Sequence, residues 1–213
     1  MTCRISNNSL LWHFAIPVYS RQLEGFEPLR QELLKLIIQK RDAFFSQRPD
    51  EATNPTWHSS NDLHLWQEPC IPEVVALISQ FASEAIGAMD PSQINANIIM
   101  NECWATVGAF GAGTSPHNHF PSNWSGQFYL SVDDCIKDEH EKFSKMEFVN
   151  PMPVAKSFGQ PERVLYQPKD GLLLLFPALA EHMVHPNMTQ NLRVLISFNM
   201  SVQMPQHSHS SKE

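Results

Sequence analysis

The chain has 213 residues, of which 42% are apolar, with 13 Phe, 5 Trp and a formal net charge of −7. That is enough for one domain with a sizeable core, and too apolar for a disordered chain. With 15 Lys+Arg against 22 Asp+Glu, no basic face is available for nucleic acid, and no such partner is expected.

Cys3, Cys70, Cys103 and Cys135 show no CxxC spacing. The start "MTCRISNNSLLWHF" lacks a basic segment followed by an apolar core, so it is not read as a signal peptide. No apolar run approaches the roughly 20 residues of a membrane helix. The expectation is a cytoplasmic protein with reduced thiols and no membrane partner.

In chain order, "LLWHFAIPVYS" (10–20) is β-leaning, with Pro17 marking an edge position. From Phe26 to about Phe45, Leu29, Leu33, Leu36, Ile37 and Phe44 recur at helical spacing. Residues 46–70 hold three prolines and many small polar residues and read as a loop. A second helix is expected from Pro72 to Met89, burying Val75, Ile78, Phe81, Ala82, Ala85 and Ile86.

After "DPSQ" the pattern turns to strands: 94–110, 124–132, 162–168, 171–177 and 191–202, separated by turn residues. Helices followed by consecutive strands predict a mainly β protein, a jelly roll with two helices packed outside. The expected division is one domain over 1–205, with 1–93 giving the N-terminal strand and helices and 94–205 the β core. Residues 206–213 read as a frayed, disordered tail. The charged stretch 133–161 shows little periodicity, and its length suggests a lid or binding loop.

The chemistry is carried by "SPHNHFPSNWSGQFYL" (115–130). In extended backbone, residues i and i+2 point to one side, so His117 and His119 can converge on a metal or share a solvated rim. "FPALAEHMVHP" adds His182 and His185 just after a strand, and "RVLISFNM" puts Arg193 inside an apolar one. A non-haem Fe(II) oxygenase needs its ligands on one side of the metal, leaving open positions for cosubstrate and O2. If that cosubstrate is 2-oxoglutarate, its far carboxylate needs a buried cation, and arginine gives a two-pronged contact. Ser197, on the same strand face as Arg193, and Tyr129 are hydroxyls that could join it. The third histidine is expected from a strand on the opposing sheet. His185 is the alternative to His182, and His119 is either a ligand or a neighbour of the ligands.

These residues, with "FAIPVYSRQL", "SSNDLHLWQEP" and "CWATVGAFGAGTSPHNHF", resemble a family of jelly-roll 2-oxoglutarate/Fe(II) oxygenases. That family carries Pro-His-x-His-Pro, Ser-Gly-x-Tyr-Tyr, Phe-Pro-Ser-x-x-x-His and then Arg before Ser-Phe-Asn. This chain departs from it at Phe120, Phe128 and Ala178. The resemblance implies a double-stranded β-helix of cupin-like form, Fe(II) at His117, His119 and His182, and 2-oxoglutarate at Arg193. It implies an oxidoreductase, a dioxygenase hydroxylating an unidentified small molecule or protein side chain with release of succinate and CO2. Two other readings stay open on the residues: a zinc hydrolase on three histidines, and a jelly-roll binding module without chemistry. The oligomeric state is not fixed by the sequence.

Trp104, Trp124 and Phe128 read as core. His13, His58, His64 and His140 read as surface or locally bonded residues, and His207 and His209 as a tail pair without function.

Overall fold

The computed structural model describes residues 16–93, 96–136, 141–152 and 154–203. The expectations for residues 10–15, His13, His140 and the tail with His207 and His209 lie outside the described residues. Two helices pack on one side of a pair of antiparallel sheets. The strands are β1 (Tyr19–Gln22), β2 (Thr56–His58), β3 (Asn97–Gly108), β4 (Thr114–His117), β5 (Trp124–Ser131), β6 (Met146–Val149), β7 (Arg163–Tyr166), β8 (Leu172–Pro177), β9 (His182–Val184) and β10 (Arg193–Gln203). Six form one sheet in the order β1-β8-β5-β10-β3-β2 and four the other, β4-β9-β6-β7. This is the jelly roll expected, with β1 at an edge.

Helix α1 (Glu27–Gln47) opens with Glu27 and Pro28 in its first turn and buries Leu29, Leu33 and Ile37, one residue per turn. Helix α2 (Cys70–Met89) starts two residues before the expected Pro72, which sits in its first turn, where its missing N–H is not needed. Val74 rather than Val75, four residues before Ile78, joins the fully buried stripe with Ile78, Phe81, Ala82, Ala85 and Ile86. Contrary to the expectation from sequence, α2 is long and apolar enough to cross a membrane by length and composition. Here that apolar face lies in the core, against the outer face of the larger sheet.

Alternation along β10 explains the division of the core. Val194, Ile196, Phe198 and Met200 face the helices. Leu195 faces the other way, into a smaller core with Tyr129, Leu174, Phe176, Met146 and Phe148 between the sheets. The inner rows across β3, β10 and β5 are then Thr106–Leu195–Tyr129, Trp104–Ser197–Gln127 and Glu102–Asn199–Ser125.

Two expectations need correction. The loop 46–70 contains β2, which adds an edge to the larger sheet beside β3. The stretch 133–161 is not all connection: Met146–Val149 is a strand inside the smaller sheet, between β9 and β7. Its alternation is masked in sequence because the outward positions, Lys145 and Glu147, are charged yet buried.

Gly126 in β5 is required by close packing. A Cβ there would collide with the Phe198 ring and the Leu174 carbonyl, and backbone cannot yield cheaply. Gly126→Ala is expected to lower stability by about 1–3 kcal/mol or more, read as a lower urea midpoint with an unchanged slope.

Candidate metal centre

The described residues contain one group of three metal-capable side chains, His117, His119 and His182, with one potential ligand atom from each lying within 4.8 Å of the others. Their rings are centred 4.4 Å (His117–His182), 5.0 Å (His117–His119) and 5.2 Å (His119–His182) apart. His117 ends β4 and is paired directly with His182 of β9. The two therefore come from neighbouring strands of the same sheet, not from opposing sheets as expected. A four-residue strand carries too little pattern to reveal its partner. His119 lies beyond the end of β4, and its position is fixed by its backbone N–H donating to Ala178 O at 2.7 Å.

The imidazoles are set up as bases. His117 Nδ1 lies 2.8 Å from Ser115 O and His182 Nδ1 lies 2.9 Å from Ala180 O. A carbonyl only accepts, so in each ring Nδ1 carries the proton and Nε2 keeps the lone pair. His182 is fully buried and its Nε2 has no protein partner. A buried orphan acceptor facing two other imidazoles suits a cation. Burial pushes His182 down to about 4, with His117 and His119 lowering it further against the Ala180 carbonyl, which raises it. Burial likewise lowers His119 to about 4, with His117 adding and Glu102 opposing. Both rings are neutral at pH 7, the form a metal needs. The donor set, three imidazoles of which two are oriented by backbone carbonyls, fits Fe(II).

His185 is turned away. Its Nε2 lies 3.1 Å from Glu147 Oε2, in a cluster with Arg163 and Lys142 on the outer face of the smaller sheet. Burial would raise the Glu147 carboxyl, but hydrogen bonds from Arg163, His185 and Lys142 prevail and hold it near 2. A folded value below the ordinary one gives stability that is complete above about pH 4.5 and is lost as pH falls towards 2. Glu147→Gln should therefore be less stable than the parent at pH 7, with the gap closing on acidification. Chemical denaturation across that range checks it.

Arg193 is 2% exposed. Its Nη1 donates to His185 O at 3.1 Å and its Nη2 to Ala112 O at 3.3 Å, while Nε has no partner. Among the described residues no carboxylate pairs with it, and burial pulls its pKa below the ordinary value. A buried guanidinium with a spare N–H and only carbonyl partners is suited to an anion. Tyr129 is buried with its hydroxyl pushed up by desolvation; it donates to Gln127 Oε1 at 2.5 Å. Ser197 shares the inward face with Arg193 but lies four residues along β10, roughly 13 Å, with Leu195 between. It is in the row of Trp104, near the histidines, rather than beside the guanidinium.

Sequence reading missed two neighbours. Trp104 is not core: it is half-buried on the inner face, 5.8 Å from the His119 ring. Glu102 lies on the same face as Trp104. Alternation from Cys103 would have placed both. His58 is exposed on β2 with Nδ1 3.3 Å from Thr106 Oγ1, the locally bonded surface residue expected. Trp124 and Phe128 do pack with the main core.

Residues 102–199 match a family model described as "Putative 2OG-Fe(II) oxygenase". No curated relative matches the sequence. Among solved structures, a Pseudomonas putida prolyl-4-hydroxylase is similar at 16% identity and TM-score 0.58, over 86% of this chain and 92% of that one. HygX from Streptomyces hygroscopicus, with nickel, 2-oxoglutarate and hygromycin B bound, is similar at 11% identity and TM-score 0.55, over 87% and 83%. A viral collagen prolyl hydroxylase from Paramecium Bursaria Chlorella virus-1, in complex with 2OG, gives 12% identity and TM-score 0.52, over 88% and 97%. These likenesses establish the shared jelly roll. Residues 102–199, a little under half of the chain, are similar to the 2-oxoglutarate/Fe(II) oxygenase family. The protein is an enzyme of that kind, working with Fe(II), 2-oxoglutarate and O2.

Proposed function

We propose that this enzyme is a hydroxylase whose Fe(II) is held by His117, His119 and His182 and whose 2-oxoglutarate is anchored by Arg193. The observation that carries the reading is a matched pair of buried orphans, His182 Nε2 as acceptor and Arg193 Nε as donor. The first asks for a cation and the second for an anion. When bound, Fe(II) and 2-oxoglutarate activate O2, one oxygen atom leaving in succinate and the other going to a substrate C–H bond as CO2 is released.

The chain's own residues supply position and polarity. The Ser115 and Ala180 carbonyls hold the two Nδ1–H groups, keeping both Nε2 lone pairs turned inward. Phe148 and Phe176, with ring centres 5.7 and 4.9 Å from His182, wall off its buried side and keep water from it. Arg193 takes the far carboxylate of the cosubstrate, and Tyr129 and Ser197 are the hydroxyls along the wall between it and the histidines. Glu147 keeps His185 engaged on the opposite face, so His182 serves as the distal ligand.

Conversion of 2-oxoglutarate to succinate that requires both O2 and added Fe(II) is the expected result. Binding of 2-oxoglutarate without conversion would make the protein a binding module. Indifference to 2-oxoglutarate, with tightly held zinc, would return the hydrolase.

A further inference from the structure

Beyond Arg193, the groove has an end of opposite polarity. Arg193 and Asn199 are six residues apart on β10, roughly 20 Å along the strand, and the histidine group faces the rows between them. At the Asn199 end, Glu102 is half-buried on the inner face and carries no counter-charge among the described residues. Its Oε1 accepts from Asn61 Nδ2 at 3.0 Å and its Oε2 from Asn199 Nδ2 at 2.7 Å. Two neutral amides fix the carboxylate in place without neutralising it.

The amide of Asn199 adds a second acceptor. A carboxylate can only accept, so Nδ2 must face Glu102 and Oδ1 must face away. Asn199 is 3% exposed and that Oδ1 has no donor. One row along, the half-buried Trp104 presents its indole beside both Glu102 and the His119 ring. A fixed carboxylate, a spare carbonyl and an aromatic face form a seat for a cation with N–H groups.

We propose that Glu102, Asn199 and Trp104 bind a protonated amino group of the substrate and thereby place a neighbouring C–H bond at the histidine centre. The inference rests on the hydroxylase reading for its purpose, but the seat itself is defined without metal or cosubstrate. The opposite charges at the two ends keep the ligands apart: a dicarboxylate is drawn to Arg193 and repelled by Glu102, and an amine the reverse. The amine can belong to a free small molecule or to a lysine side chain, which share this chemistry.

The test is a matched pair of probes differing only in charge, N-acetyl-lysine methylamide and its Nε-acetylated form, titrated into the full-length protein by ligand-observed NMR. The charged probe is expected to bind at least about tenfold more tightly, the scale of one charge-assisted contact. Glu102→Gln should erase that preference, and Trp104→Leu should weaken the charged probe alone. Circular dichroism of each variant verifies the fold, and the conservative Glu102→Asp should retain part of the preference. Equal binding of the two probes, no binding of the charged one, or a preference that survives Glu102→Gln would overturn the proposal. Comparing 1,5-diaminopentane with a lysine-containing peptide distinguishes the sources: tighter binding of the first assigns a free amine, and of the second a protein side chain. Succinate formation from 2-oxoglutarate is measured separately. Turnover without amine binding sinks the seat and leaves the hydroxylase, and amine binding without turnover does the reverse.

Discussion

Arg193→Ala is expected to raise the 2-oxoglutarate dissociation constant at least about tenfold while leaving Fe(II) binding intact. The guanidinium is desolvated, tied only to the His185 and Ala112 carbonyls, and has an N–H to spare. Removing one partner of a desolvated charged contact typically costs on the order of 2–5 kcal/mol, or roughly 30-fold to several thousand-fold. Tenfold is therefore a floor. Arg193→Lys should recover part of the loss, because an ammonium keeps the charge but cannot present two parallel N–H groups. The metal should not notice either change, since the guanidinium is tied to the His185 and Ala112 carbonyls and not to any of the three histidine rings. Calorimetric titration of 2-oxoglutarate into anaerobic metal-loaded protein reads the first effect, and metal titration the second.

The larger effect belongs to His182. His182→Ala should reduce Fe(II) affinity by more than the roughly 10–100-fold typical of losing a partner that only orients a ligand, and His117→Ala should act similarly. His182 is fully buried against Phe148 and Phe176, so alanine also leaves a cavity. His182→Gln nearly fills that volume and separates lost ligation from lost packing. His119 stands at the end of the smaller sheet rather than within it, and a carboxylate there would give the more familiar two-histidine, one-carboxylate set. His119→Asp is accordingly expected to retain iron. His185→Ala should leave metal binding unchanged, because its ring is committed to Glu147 on the other face.

How far such residues could be found without coordinates depended on the length and contrast of their segments. The long strands β3 and β10 run for twelve and eleven residues, and their apolar content marked them plainly, as did the helical stripes of α1 and α2. The order of His117, His119, His182 and Arg193 along the chain was equally plain. Strands β4, β6 and β9 were not, because three or four residues cannot show a period, and β6 buries Glu147 by pairing it with Lys142, Arg163 and His185 from other segments. The same shortness hid the fact that His117 and His182 are direct neighbours in one sheet. Glu102 and Trp104 were missed for a different reason: alternation from Cys103 puts both on the inner face, but nothing ties that face to the histidines until β10 sets Asn199 beside one and the β4–β5 turn sets His119 beside the other.

One measurement bears most directly on the centre: titration of 2-oxoglutarate into the same anaerobic protein with and without Fe(II), followed by calorimetry. Fe(II)-loaded protein should bind one 2-oxoglutarate per chain, and metal-free protein far more weakly, because the keto-acid end would then have no cation at His117, His119 and His182. Affinity that is the same with and without metal, or no binding in either, would contradict the assignment of the three histidines and Arg193 to one catalytic groove.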